Sequence, residues 1–126
     1  MNLKIKKLEV KKDNRGWLAE IISTNEIEGK GLGLVLITTA NAGQTKGNHY
    51  HKRKIEWYCV IRGRGLLKVW NQQEREEFEV SEDNLTLVEI PKNYFHSITN
   101  VGDSPMYLLA VVSEPFNEKD PDTYYE

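Results

Sequence analysis

The strongest constraint on the fold is a hydrophobic period of two, which recurs in short runs along the chain. Successive side chains of a strand point to opposite faces, so this alternation is typical of β-structure. Turn-forming sequences rich in Gly, Asn, Asp and Pro separate the runs. Many short strands with no run of helical period predict an all-β sandwich or barrel. The predicted strands occupy residues 3–6, 31–38, 56–61, 66–70, 77–80, 86–90, 96–99 and 106–112.

The length sets the number of domains. At 126 residues the chain has room for one domain, because domains commonly take about 100–200 residues. We therefore expect a single domain over residues 1–126. The stretch 114–125 is rich in turn formers and carries Phe116, Tyr124 and Tyr125, which predicts a tail that docks on the domain surface.

Charge and composition limit the partners and the compartment. Lys and Arg total 17 against 19 Asp and Glu, so the net charge of -2 provides no positive field for nucleic acid or anionic membranes. No apolar run approaches the roughly 18 residues of a membrane span, and residues 1–7 do not resemble a secretory signal. The lone Cys59 excludes an intramolecular disulfide and fits a reducing compartment. We expect a cytoplasmic protein without nucleic-acid or membrane partners.

The three histidines and one glutamate form a candidate metal site. His49 and His51 are two residues apart, so on an extended segment both side chains point to the same side. Glu56 opens the strand after a charged turn, and His96 could approach from another hairpin. Imidazoles with one carboxylate suit a divalent ion such as zinc, iron, nickel or manganese. We predict that His49, His51, Glu56 and His96 bind a divalent metal, with zinc as the first choice.

The spacing of these residues resembles the two motifs that define the cupin superfamily. Asn93 stands where the second motif usually has glycine, and Asn is the residue that best tolerates the same left-handed backbone. The resemblance implies a double-stranded β-helix, or jelly roll, with a metal-capable pocket lined by the three histidines and Glu56. The first motif comprises Gly43, His49, His51, Glu56 and Gly63, and the second Pro91, Asn93, His96 and Asn100.

Three further segments resemble cupins that act on nucleotide sugars. Residues 13–20 are similar to the Asp-x-Arg-Gly signature of epimerases of the dTDP-4-dehydrorhamnose 3,5-epimerase type. Residues 46–51 resemble the Arg-Gly-x-His-x-His segment of dTDP-sugar 3,4-ketoisomerases. Residues 90–102 and 116–124 look most like the C-terminal cupin of two-domain capsular polysaccharide enzymes. These resemblances imply a nucleotide-linked sugar as the substrate.

The resemblance also implies candidate catalytic residues. Epimerases and ketoisomerases of this type remove a proton next to a keto group, which calls for a base with a pKa near neutrality. If no metal binds, His49 or His51 could be that base. If all three histidines bind a metal, a tyrosine or a carboxylate must transfer the proton instead. The 3,5-epimerases use a tyrosine late in the chain, where this sequence has none. Tyr58, which shares strand parity with Glu56, is one candidate replacement, and Tyr50, Tyr94 and Tyr107 are others.

Three polar residues are candidates for substrate binding. Lys46 stands where the similar enzymes have Arg, so it offers a phosphate a point charge in place of a fork-shaped guanidinium. Asn48 lies in the same segment. Arg15 could bind phosphate or form a structural ion pair with Asp13, and the sequence leaves both open.

The sequence therefore predicts a metal-binding isomerase or epimerase for a nucleotide-linked 4-keto-6-deoxy sugar in polysaccharide precursor biosynthesis. One alternative is a metal-dependent cupin of another class, such as a dioxygenase, because three His and one Glu would also hold Fe(II). A second alternative is a binding module for sugars or small ligands without catalysis. The resemblance also implies a homodimer.

Overall fold

The computed structural model describes residues 1–125, which form strands and turns without a helix. Within this range no helix has the length and apolar character required to cross a membrane. The strands are β1 (Ile5–Lys7), β2 (Val10–Asp13), β3 (Gly16–Ala19), β4 (Leu34–Ala40), β5 (Thr45–Tyr50), β6 (Glu56–Arg62), β7 (Arg64–Trp70), β8 (Arg75–Ser81), β9 (Thr86–Ile90), β10 (Phe95–Asn100), β11 (Met106–Val112) and β12 (Tyr124–Tyr125).

Ten of these strands build two five-stranded antiparallel sheets. The first sheet has the order β1-β9-β6-β11-β4, and the second has the order β12-β5-β10-β7-β8. In the first sheet strands from the two halves of the chain alternate, and in the second sheet β5 lies between β12 and β10, so distant segments pair as in a jelly roll. The predicted all-β jelly-roll fold is confirmed. A separate hairpin of β2 and β3 completes the structure.

The core lies between the two sheets. Alternate residues of β7 and β10 point inward, so Leu67, Val69 and Ile98 are almost fully buried and face Val60 and Val88 from the first sheet. Burying a side chain of this size stabilises the folded state by about 1.5–3 kcal/mol relative to leaving it exposed to water. The interior packing therefore fixes the distance between the two sheets.

A second apolar layer covers the outer face of the first sheet. Trp57 and Cys59 point outward from β6 and are buried under Leu8, Ile27 and Leu87. Because β6 is buried on both faces, residues 57–60 are a continuous apolar run instead of an alternating one. The segment before β4 thus closes this face of the first sheet.

Some elements differ from the sequence prediction. The turn at 13–16 joins β2 and β3, which were not predicted because β2 is charged and fully exposed. The strand predicted from residue 31 begins at Leu34. The predicted docking of the tail is confirmed, since Tyr124 and Tyr125 pair with β5.

Candidate functional site

The four predicted metal ligands come from three segments that meet at one end of the barrel. His49 lies near the end of β5 and is paired directly with His96 on β10. Glu56 begins β6 in the opposite sheet, and His51 follows β5 immediately. The jelly roll therefore brings together residues that are up to 47 positions apart in the sequence.

The side chains converge closely enough to share one ion. One ligand atom from each of the four residues lies within 4.8 Å of all the others. The ring centroids of His49 are 4.9 Å from His51 and 4.8 Å from His96. Oε1 of Glu56 lies 2.9 Å from Nε2 of His51 and 3.0 Å from Nε2 of His96.

The protons of the two buried histidines can be assigned from their neighbours. Nδ1 of His51 is 2.8 Å from the carbonyl oxygen of Asp122, and Nδ1 of His96 is 3.3 Å from that of Tyr94. A carbonyl oxygen can only accept, so both Nδ1 atoms are donors. In the neutral rings, the Nε2 lone pairs then face the Glu56 carboxylate. Nε2 of His96 is buried without a hydrogen-bond partner, so the donor set fits a metal ion.

The electrostatics of the cluster keep Glu56 and His49 in the forms that bind a metal. Burial lowers the pKa of His51, but its contact with Glu56 outweighs burial and raises this pKa. Burial raises the pKa of Glu56, but its close contacts with the His51 and His96 imidazoles, and the charge of those rings when protonated, outweigh burial and hold this pKa well below the usual range. Burial, together with repulsion from His96 and His51, lowers the pKa of His49 to about 4. At neutral pH the site therefore has an ionised carboxylate and, at His49, a neutral imidazole.

A β-bulge aims His49 into the cluster. His49 pairs with His96 and Gly47 pairs with Ser97, so Asn48 is an extra residue in β5. Gly47 and Asn48 both have positive φ, 98° and 62°. A bulge of this kind bends the strand and redirects its side chains. Asn93, the predicted substitute for a motif glycine, also has a left-handed backbone, with φ 67°.

Tyr58, a predicted catalytic residue, lies beside the cluster on the buried side. Its hydroxyl donates to Oε1 of Glu56 at 3.4 Å, and its ring is 5.8 Å from that of His96. Burial and the neighbouring Glu56 charge raise its pKa well above the usual value. Tyr58 thus stays protonated and donates a hydrogen bond to the Glu56 carboxylate from the buried side of the cluster.

The other tyrosines considered from the sequence have partners away from the cluster. Tyr50 packs against Phe95 and Tyr124, and the Tyr94 hydroxyl donates to Glu74. Tyr107 lies on the outer face beneath Arg62. Ordinary packing or surface contacts therefore account for these three rings.

The three predicted substrate-binding residues lie in different places. Lys46 is exposed on β5, and its Nζ donates to Oγ1 of Thr38 at 2.9 Å, across the open edge between the two sheets. Asn48 is exposed at the bulge, next to His49. The structure therefore places Lys46 and Asn48 on the strand that carries His49.

Arg15 is not brought to the cluster within one chain. It pairs with Asp13 at 2.6 Å in the exposed β2–β3 turn, as one of the two sequence interpretations expected. The hairpin lies beside Ile61 and Leu85, on the outer face of the first sheet. Ile61 is five residues beyond Glu56 on β6, which separates the two by about 17 Å along the strand.

Sequence reasoning missed two residues of the tail that border the cluster. Asp122 is 2% exposed, and its carbonyl contacts His51. Tyr125 pairs with His49 across β5 and β12, and the two rings are 5.8 Å apart in an edge-to-face arrangement. Only the three aromatic residues of the tail indicated that it docks on the domain. No pattern in the tail indicated that it docks beside the histidine cluster.

Comparison with known proteins shows the family. Residues 11–124 match the family described as the polysaccharide biosynthesis C-terminal domain. A UDP-2-acetamido-2,6-beta-L-arabino-hexul-4-ose reductase of Pseudomonas aeruginosa is 32% identical over 89% of this chain and 29% of its own length. The crystal structure of the capsular polysaccharide assembling protein CapF from Staphylococcus aureus is 37% identical, with a TM-score of 0.72, over 94% of this chain and 34% of its own.

The chain thus spans about a third of the length of both relatives. QdtA, a sugar 3,4-ketoisomerase from Thermoanaerobacterium thermosaccharolyticum solved with TDP, is 20% identical, with a TM-score of 0.83, over 99% of this chain and 88% of its own, and shares the fold. The match covers residues 11–124, nearly the whole jelly roll, and we conclude that this chain belongs to the polysaccharide biosynthesis C-terminal domain family.

Proposed function

We propose that this protein is a metal-binding isomerase or epimerase of a nucleotide-linked 4-keto-6-deoxy sugar, working in the cytoplasm on polysaccharide precursors. The observation that carries the proposal is the convergence of His49, His51, Glu56 and His96 within 4.8 Å. The family supports a role in polysaccharide biosynthesis. The name of the Pseudomonas aeruginosa relative, a UDP-hexul-4-ose reductase, supports a nucleotide-linked 4-keto sugar.

His49, His51, Glu56 and His96 would hold the metal ion, with zinc as the first choice. Three imidazoles and one carboxylate are ligands that zinc accepts, and the ion would polarise a carbonyl oxygen as a Lewis acid. A neutral His49 and an ionised Glu56 are forms that bind a metal, whereas His51, whose pKa is raised by Glu56 despite burial, must give up any proton on Nε2 when the ion binds.

The remaining roles fall to residues around the mouth of the barrel. Lys46 supplies a positive charge for the nucleotide phosphates, and Asn48 supplies an amide beside His49. With the imidazoles on the ion, proton transfer requires a phenol or a carboxylate. Tyr125, whose ring lies against His49, is the phenol at the mouth, while Tyr58 holds Glu56 in place.

The proposal predicts proton exchange at the carbons next to the keto group. Zinc-loaded protein is incubated in heavy water with a UDP- or dTDP-linked 4-keto-6-deoxy sugar, and the C3 and C5 proton signals are followed by NMR. We expect at least one of these signals to disappear, because proton removal and return is the common step of epimerases and ketoisomerases.

Two other outcomes would contradict this proposal. The absence of exchange at both carbons with either nucleotide would favour a binding module without catalysis. Oxygen consumption by the iron-loaded protein on a small substrate would favour a dioxygenase.

We also propose that the 126 residues form one domain and that two copies associate through β4. This strand ends the first sheet, so one of its edges carries backbone groups that can pair with another strand. On the outer face beside that edge, Val35 and Ile37 are 55% and 58% exposed, and Tyr107 is 38% exposed. A second copy that brings the same apolar face would cover both the edge and these side chains.

Placing a charge on this face should separate the copies. We expect Ile37→Asp to shift the protein from dimer to monomer in size-exclusion chromatography with light scattering, because the carboxylate would be buried without a partner. Gln73→Asp, in the exposed β7–β8 turn, is the control and should leave the dimer intact. A monomeric wild-type protein would overturn the proposed association.

A further inference from the structure

The tail of the chain forms part of the wall of the metal site. Residues 120–125, which we term the C-terminal strap, run beside the residues that follow β5. Tyr124 pairs with Tyr50 and Tyr125 pairs with His49, in antiparallel register. The strap therefore lies along the segment that carries two of the four proposed ligands.

Asp122 anchors the strap with its carboxylate. Oδ1 accepts a hydrogen bond from the backbone N–H of Lys52 at 3.0 Å, and Oδ2 accepts from Arg53 and Lys54, both at 2.9 Å. The side chain is almost fully buried, so these bonds replace the water that it gives up. Three consecutive amides of the turn after His51 are thus held by one side chain that lies about 70 residues later.

The backbone of Asp122 acts on the ligand itself. Its carbonyl oxygen accepts the Nδ1 proton of His51 at 2.8 Å, which leaves Nε2 directed at Glu56 and the other ligand atoms. The carbonyl reaches this position because Asp122 has a left-handed backbone, with φ 51°. The two contacts of Asp122 therefore fix the tautomer of His51, the orientation of its ring and the turn that follows.

His96 has a contact of the same kind, but from a residue close to it in the sequence. Its Nδ1 faces the carbonyl of Tyr94, two residues earlier, at the longer distance of 3.3 Å. His51 has no such local partner, since its Nδ1 contact comes from position 122. The strap therefore supplies to His51 the support that the turn before β10 supplies to His96.

We infer that Asp122 is a positioning residue for the metal site: it holds His51 in the tautomer and orientation that bind a divalent cation. This inference rests on the proposed metal-binding function. It assigns the C-terminal strap a role in the site, so the affinity for the cation depends on a residue that is not itself a ligand.

The test compares Asp122→Asn with Asp120→Asn. Asn tolerates a positive φ, but its amide keeps only one acceptor oxygen and turns an NH₂ donor towards at least one backbone N–H group, so the anchor is weakened while the backbone conformation remains accessible. Asp120 lies in the same strap, is exposed and pairs with Arg53 at 3.2 Å, which makes it the matched control. Zinc affinity is measured by competition with a chromophoric chelator.

We expect Asp122→Asn to bind zinc about 10–100-fold more weakly than wild type, the usual cost of losing an outer partner of a ligand. Asp120→Asn should bind as wild type does. Equal affinity in wild type and Asp122→Asn would overturn the inference. Asp122→Gly, which permits the same φ and keeps the carbonyl but lacks the carboxylate, repeats the test if the Asn variant does not fold.

A second readout separates this inference from the proposed function. In ¹⁵N-labelled protein without metal, the Nδ1 proton of His51 should be visible and protected from exchange with water. It should be lost in Asp122→Asn and kept in Asp120→Asn. Wild-type protein that binds no zinc would count against the proposed function, while retention of the protected proton in Asp122→Asn would overturn the positioning role.

Discussion

Replacing His51 with alanine is expected to abolish stoichiometric zinc binding and to reduce sugar proton exchange by at least about 100-fold. Loss of an outer partner alone costs 10–100-fold in metal affinity, so loss of a ligand should cost more. His51 is also the ligand with contacts on both ring nitrogens, to Glu56 and to Asp122. Its removal therefore leaves the Asp122 carbonyl without its donor and removes the imidazole that lies against Glu56. Metal content by atomic emission and the heavy-water exchange assay measure the two effects.

A second substitution separates chemistry from folding in this experiment. His51→Gln retains an amide that can donate to the Asp122 carbonyl, but it has no imidazole nitrogen for a metal. We expect it to fold as wild type by circular dichroism and to lack zinc as His51→Ala does. Full zinc content in either variant would show that the ligand set is misassigned.

The alternating pattern was sufficient to predict an all-β sandwich or barrel, and the resemblance of the motif spacing to cupins implied the jelly roll and the four residues that converge. Alternation identified the inner strands, and the distances between His49, His51 and Glu56 placed them at the junction of β5 and β6. His96 was predicted through the second motif, and the structure brings it opposite His49. Alternation within single strands and the spacing of residues within the two motifs were therefore enough for these predictions.

The sequence could not predict contacts that depend on the packing of distant segments. Asp122 lies in a polar tail, and neither its burial nor its contact with residues 52–54 leaves a periodic signal. The exposed, charged β2–β3 hairpin has no buried face and hence no hydrophobic pattern. For the same reason, the position of the hairpin that carries Arg15, with Trp17 beside Ile61 on the outer face, could not be inferred from its signature.

The bulge in β5 yields the second prediction of large effect. Gly47 has φ 98°, and a Cβ at this position would lie 2.8 Å from the carbonyl oxygen of His96 and 3.2 Å from Cα of Ser97. These are backbone atoms of β10, so they cannot move aside as a flexible side chain would. Gly47→Ala must therefore push β5 from β10 at the point where His49 and His96 pair.

Gly43→Ala is the matched control, because it separates backbone strain from the clash. Gly43 has φ 80°, so alanine carries a similar left-handed penalty of about 1–2 kcal/mol, but its Cβ would meet no atom within 4 Å. We expect urea unfolding to show Gly47→Ala about 1–3 kcal/mol less stable than Gly43→Ala, the usual cost of overpacking.

Zinc affinity should separate the two variants further. A displacement of β5 moves His49 relative to His96, and a metal site requires its ligands to be held within about 0.5 Å. We expect at least about a tenfold loss of affinity in Gly47→Ala and wild-type affinity in Gly43→Ala. Equal stability and affinity in the two variants would show that the bulge glycine does not set the position of His49. A loss confined to Gly47→Ala would mean that one backbone contact between β5 and β10 determines whether the site can form.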